Sequence, residues 1–131
     1  MISTPRILIV DDEPLILWTL SKALEADGHQ ITSASNGEEA IRIARTQQFD
    51  LFIIDLIMPY KDGIETMLEL RALDKDTPII AMSGGWNGGA KSCLPLAGKM
   101  GACAMLAKPF DRTTLLAIVG HEIRKRQVFP V

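Results

Sequence analysis

Four short apolar runs constrain this chain more than any other feature. They are Ile7-Leu8-Ile9-Val10, Leu51-Phe52-Ile53-Ile54, Ile79-Ile80-Ala81-Met82 and Met105-Leu106-Ala107. Each is strand-length and unbroken, rather than alternating apolar with polar. A strand with one wet face alternates; a strand buried on both faces does not. Between the runs lie helix-length segments with their own start and stop signals. Strands alternating with helices predict a parallel sheet covered on both sides. Each run also ends on chemistry: Asp11-Asp12, Asp55, Ser83 and Lys108-Pro109.

The elements follow from local signals. The first strand is expected over residues 6–10 and the second over 30–34. The first helix starts after Asp12, with Pro14 tolerated in the first turn, and stops near Gly28. Asn36 is placed to cap the second helix. The third strand spans 51–55, and the third helix spans 63–73 with an apolar spacing of Ile64, Met67, Leu68 and Leu73. The fourth strand follows Pro78. A fourth helix falls between Ala90 and Gly101, weakened by Pro95 and Gly98. The fifth strand is expected over 102–106. Asp111 caps a fifth helix whose face is Leu115, Leu116, Val119 and Ile123.

The bulk properties fit one soluble domain. The chain has 131 residues, 47% hydrophobic and 23% charged, with a formal charge of -2. That charge gives no case for a nucleic-acid or membrane partner. Cys93 and Cys103 are too few for a disulfide scaffold and read as small core residues. Nothing resembles a signal peptide or a membrane span, so a reducing cytoplasm is expected. Met58 and Met82 read as core packing. His29 and His121 have no paired ligands, and the basic Arg124-Lys125-Arg126 reads as solvated charge at a helix C-terminus.

In open parallel sheets, ligands sit beyond the carboxyl ends of the strands. That rule gathers Asp11, Asp12, Asp55, Ser83 and Lys108 around one crevice. Three acids, a hydroxyl and an amine there suit a phosphorylatable aspartate with a magnesium ion. Taken singly, each has a plainer reading: paired acids cap helices, a Ser at a strand end makes a turn, and Lys-Pro marks a loop.

Together these pieces resemble the receiver domain of two-component response regulators. The resemblance is carried by residues 7–13, by the run from Asp50 through Asp55 to Met58-Pro59 with Asp62-Gly63, by residues 78–84, by Gly101-Ala102, and by Lys108-Pro109-Phe110. It covers Arg6 to about Lys125. It implies a flavodoxin-like α/β fold: a doubly wound, five-stranded parallel sheet in the order 2-1-3-4-5 with five helices. It implies a receiver domain over residues 1–127, and a tail over 128–131 too short for an output domain.

The resemblance also assigns roles. Asp55 is the phosphoacceptor, charged by a phosphohistidine on a sensor histidine kinase or phosphotransfer protein. Asp12 and Asp55 are direct Mg²⁺ ligands, joined by the Ile57 main-chain carbonyl, with Asp11 acting through water. Ser83 and Lys108 relay the phosphoryl charge to a readout face of fourth helix, fifth strand and fifth helix. Such a chain modifies itself rather than turning over an external substrate. It is expected to be a monomer or weak dimer, with a downstream protein partner or output domain unidentified.

Some positions depart from the family pattern. Receivers commonly place Tyr or Phe three residues before the lysine; here Met105 stands there, apolar and without a hydroxyl. Ile57 and Gly85 lack polar side chains for an attacking water, so the phosphorylated lifetime is expected to differ from relatives with polar groups there. The stretch Gly84-Gly85-Trp86-Asn87-Gly88-Gly89 reads either as a lid carrying Trp86 or as a slack loop. Leu15, Ile16, Leu17, Trp18 and Leu20 make the first helix more apolar than one buried face needs, which fits either a partner surface or a core-facing helix. Two other functions compete with the receiver reading. One is an aspartate-nucleophile phosphohydrolase, although its usual Asp-x-Asp motif and cap domain are missing. The other is an interaction module that no longer depends on phosphorylation.

Overall fold

The computed structural model describes residues 4–58, 63–83 and 103–128. Five strands form one parallel sheet: β1 (Arg6–Val10), β2 (Gln30–Ala34), β3 (Leu51–Asp55), β4 (Ile79–Ser83) and β5 (Ala104–Ala107). Their order is β2-β1-β3-β4-β5. The chain therefore moves outward from β1 in one direction and then, through β3, in the other. The carboxyl ends of β1 and β3 lie side by side at that reversal, with Val10 opposite Ile54.

Alternation along the strands divides the core into two layers. Leu8, Val10, Phe52, Ile54 and Ala81 face one side, where α2 (Gly37–Ala44) and α3 (Gly63–Leu73) add Ala40, Ile41, Met67 and Leu70. Ile7, Ile9, Leu51, Ile53, Ile80 and Met82 face the other, packed with Leu20, Ala23 and Leu24 of α1 (Pro14–Ala26). The last described helix, α4 (Arg112–Val128), adds Leu115, Val119 and Ile123 to that second layer. It is the fifth helix of the sequence reading. The expected fourth helix, between Ala90 and Gly101, lies outside the described residues.

Local signals account for the helix boundaries. Pro14 opens α1. After α1, Gly28 takes a positive φ of 94°, which a side chain would resist, and the chain turns into β2. The Asn36 side chain accepts the Glu39 N–H at 2.8 Å, capping α2 as expected. At the far end of α3, Arg71 donates to the carbonyls of Lys75 and Thr77 at 3.1 and 2.7 Å. Asp74 accepts the Asp76 and Thr77 amides. This corner fixes the entry into β4.

Several expectations are corrected. The fifth strand runs from Ala104 to Ala107, later than residues 102–106, because its register is set by pairing with β4, Ser83 opposite Ala107. The buried stripe of α3 is Thr66, Met67 and Leu70. Leu68 and Leu73 instead face solvent, since one helix face is all the sheet can cover. Cys103 is exposed at the start of β5 and is not a core residue. On α1 the core-facing alternative holds for Leu20, Ala23 and Leu24, with Ile16 and Leu17 partly buried against the same layer, while Leu15 is 71% and Trp18 61% exposed.

Ile53 sits fully buried in the second layer. Ile53→Ala is expected to cost about 2–5 kcal/mol through lost contacts and a residual cavity. Asn36→Ala is expected to cost about 1 kcal/mol. Urea unfolding followed by circular dichroism measures both.

Candidate functional site

The strand tips bring three carboxylates and one amine together. Asp11 follows β1 and is fully buried; its N–H donates to Ala34 at 3.1 Å, extending the β1–β2 pairing by one residue. Its Oδ1 accepts the Glu13 N–H at 2.9 Å, which turns the chain into α1. Asp12, between them, is exposed. Asp55 ends β3 and is 3% exposed, and its Oδ1 accepts the Ile57 N–H at 3.2 Å. Carboxylate oxygens of Asp11, Asp12 and Asp55 all lie within 4.8 Å of one another.

Lys108 completes the cluster from beyond β5. Its N–H donates to the Ser83 carbonyl at 2.8 Å, so the residue is anchored to the tip of β4. Its Nζ lies 2.6 Å from Asp11 Oδ2 and 3.3 Å from Asp55 Oδ2. Glu13 Oε1 stands 3.8 Å away on the exposed rim. Glu13 is the acid that sequence reading gave no role. Its position directly after Asp11-Asp12 was the available signal. Ser83 is fully buried, and its Oγ has no hydrogen-bond partner among the described residues. An unpaired buried hydroxyl is costly, and this one sits on the strand beside Lys108.

The titration behaviour follows from the crowding. Burial, with the Asp11 charge added, raises the Asp55 carboxyl from an ordinary 3.8 to about 6; Lys108 and the Ile57 N–H oppose the rise. Burial works against the charge on Lys108, but the Asp11 hydrogen bond and the charges of Asp55 and Asp11 outweigh it, leaving its ammonium above the usual lysine value. The Asp55 shift reports burial first and the Asp11 charge second, and the Lys108 shift reports its two carboxylate partners.

The other expected positions divide. Ile57 lies two residues past Asp55, its side chain 43% exposed. Met105 is 39% exposed on β5, three residues before Lys108. Trp86 and the glycine-rich stretch around it lie outside the described residues.

A family model for the response regulator receiver domain matches residues 7–120. The chain belongs to that family. It is 35% identical over 128 residues to the transcriptional regulatory protein PrrA of Mycobacterium leprae, covering 95% of this chain and 52% of PrrA. The chain thus spans about half the length of the curated relatives it matches first. Among solved receivers, the chemotaxis protein CheY4 of Vibrio cholerae aligns with a TM-score of 0.81 at 30% identity, covering 91% of this chain and 98% of CheY4. The receiver domain of the sensor histidine kinase PA1611 from Pseudomonas aeruginosa aligns with a TM-score of 0.82 at 30% identity, covering 93% and 99%. That structure has a magnesium ion coordinated in its active site cleft.

The raised Asp55 value has a definite consequence for stability without metal. Between about pH 4 and 6 the folded chain holds a proton on Asp55 that the unfolded chain has lost. Stability contributed by this residue therefore falls as pH rises through that window. By pH 7 the ionised carboxylate costs the metal-free fold at most about 3 kcal/mol. Asp55→Asn is expected to need more urea to unfold than wild type at pH 7 in EDTA, with the difference vanishing near pH 4. Equal or lower resistance at pH 7 would contradict this account.

Proposed function

We propose that this receiver takes a phosphoryl group onto Asp55 from a phosphohistidine on a sensor histidine kinase or phosphotransfer protein, with Mg²⁺ bound alongside. One observation carries the reading: three acidic side chains meet within 4.8 Å at the tips of β1 and β3, with the Lys108 ammonium among them.

The donor set suits a hard divalent cation, since it is all oxygen, partly exposed at Asp12, and over-charged without one. Asp12, Asp55 and the Ile57 carbonyl would hold the ion, with Asp11 reached through water. When bound, Mg²⁺ supplies two positive charges that offset the repulsion between carboxylate and incoming phosphoryl oxygens. The PA1611 receiver, with a magnesium ion coordinated in its active site cleft, supports this by likeness.

The residues of the chain carry the rest. Asp55 attacks in its ionised form; an oxygen–phosphorus bond forms as the phosphorus–nitrogen bond of the donor breaks. The bonding electron pair stays on the departing imidazole. Burial makes Asp55 more basic than a surface carboxylate, which strengthens it as a nucleophile. Positioning and charge do most of the work in such a transfer. Lys108, released from Asp55 once that carboxylate becomes an acyl phosphate, pairs with a phosphoryl oxygen. Ser83 donates its hydroxyl to another.

Both residues sit on β4 and β5 or just beyond, so their movement is passed to those strands and to α4. Met105, on the same edge, fills the usual aromatic position without a hydroxyl. Partner binding is the output, not turnover of an external substrate. The site residues lie in a receiver unit corresponding to residues 1–127, acting in the cytoplasm as a monomer or weak dimer without direct nucleic-acid contact. Among the described residues, no helix is long and apolar enough to cross a membrane.

Incubation with Mg²⁺ and a small-molecule phosphodonor, read by intact mass, tests the proposal. Wild type is expected to gain one phosphoryl group and Asp55→Asn none; EDTA abolishes the gain. Lys108→Ala is expected to slow it by about 10²-fold. Equal labelling of wild type and Asp55→Asn would overturn the assignment.

A further inference from the structure

Gly63 opens α3 and is buried. Its N–H donates to the Leu56 carbonyl at 3.1 Å. The helix start approaches the end of β3 so closely that no side chain fits between them. A methyl group at position 63 would overlap the Asp55 carbonyl oxygen and the Leu56 Cα, and come within 2.7 Å of the Asp55 carbonyl carbon. These are backbone atoms, which cannot swing aside. At Gly120, by contrast, an added methyl would meet only the end of the Arg124 side chain, and at Gly28 nothing within 4 Å.

The peptide under Gly63 is held from the other side too. The Leu56 N–H donates to the Met82 carbonyl at 2.9 Å, so the segment is clamped between β4 and the first turn of α3. The next residue, Ile57, donates its N–H to Asp55 Oδ1. One short stretch thus carries the acceptor carboxyl, the backbone hydrogen bond that orients it, and the carbonyl assigned above to the cation. A shift of this stretch changes all three at once. It also changes the 3.3 Å spacing between Asp55 Oδ2 and Lys108 Nζ.

We infer that Gly63 is a positioning residue for Asp55. Its missing side chain lets α3 bear directly on the Asp55–Leu56 peptide, and that contact sets where the acceptor carboxyl stands relative to Lys108. This rests on the function proposed above for its consequences, though not for its geometry. Displacements of about 1 Å at a reacting centre are costly, on the order of 10²-fold in rate. A side chain at position 63 must displace backbone by a comparable amount.

The test compares Gly63→Ala with Leu70→Ala, which removes buried volume further along the same helix. In EDTA, the backbone amide resonances of Ile57 and Lys108 are expected to move in Gly63→Ala and to stay in place in Leu70→Ala. Mg²⁺ affinity, titrated on the same resonances, is expected to fall at least about tenfold in Gly63→Ala only, and the rate of labelling by a small phosphodonor likewise. Unmoved amides with wild-type Mg²⁺ affinity would overturn the inference, as would equal losses in Leu70→Ala. Failure of Gly63→Ala to fold in the cold with sucrose would show that the glycine serves the fold as a whole, and would overturn it too. A wild type that neither binds Mg²⁺ nor gains a phosphoryl group would sink the proposed function instead, while the metal-free amide comparison would still judge Gly63.

Discussion

Burial of both faces of the sheet is the constraint on which the rest depends. The central strands β1, β3 and β4 have no solvated face, so their interior positions must be apolar: Ile7 to Val10, Leu51 to Ile54 and Ile79 to Met82 are all buried. Polar groups on these strands have only the ends to occupy. The carboxyl ends of β1 and β3 adjoin where the strand order reverses, and a crevice opens there. Asp11 and Asp55 stand at or just past those ends, and Ser83 ends the neighbouring β4. The same packing that excludes charge from the core concentrates it at one edge.

That concentration makes the site electrostatically unfinished. Asp11 and Asp55 are nearly inaccessible to water, Asp12 is close by, and among the described residues Lys108 is the single ammonium beside them. Lys108 stands closer to Asp11 than to Asp55, and burial, with the Asp11 charge added, raises the Asp55 carboxyl. A site built this way favours whatever brings positive charge in, and a change of charge on Asp55 falls directly beside Asp11 and Lys108. Those are the properties a phosphorylation switch needs, and they follow from burial and spacing.

Much of this was legible along the chain because the signals were local. Unbroken apolar runs marked the buried strands β1, β3 and β4, and β1, β2 and β3 begin and end at the residues expected for them. Asn36 and Pro14 marked helix starts through hydrogen-bonding capacity and ring geometry that need no distant partner. What was missed depended on pairing across the fold. The ends of β5 are set by its register with β4, and the outward turn of Leu68, Leu73 and Cys103 reflects how much surface the sheet and its helices can cover. Glu13 gained its place beside Lys108 only because β1 and β5, separated by most of the sequence, end at the same edge.

The sequence by itself determined the sheet, its class and the residue types at the strand tips, since apolar runs and turn chemistry act over a few residues. The tertiary structure decided how those tips relate: which acid Lys108 grips most closely, how deeply the Ser83 hydroxyl is buried, and why position 63 has no room for a side chain. Those outcomes depend on distances between segments remote in sequence, and only packing two layers of core against one sheet sets such distances.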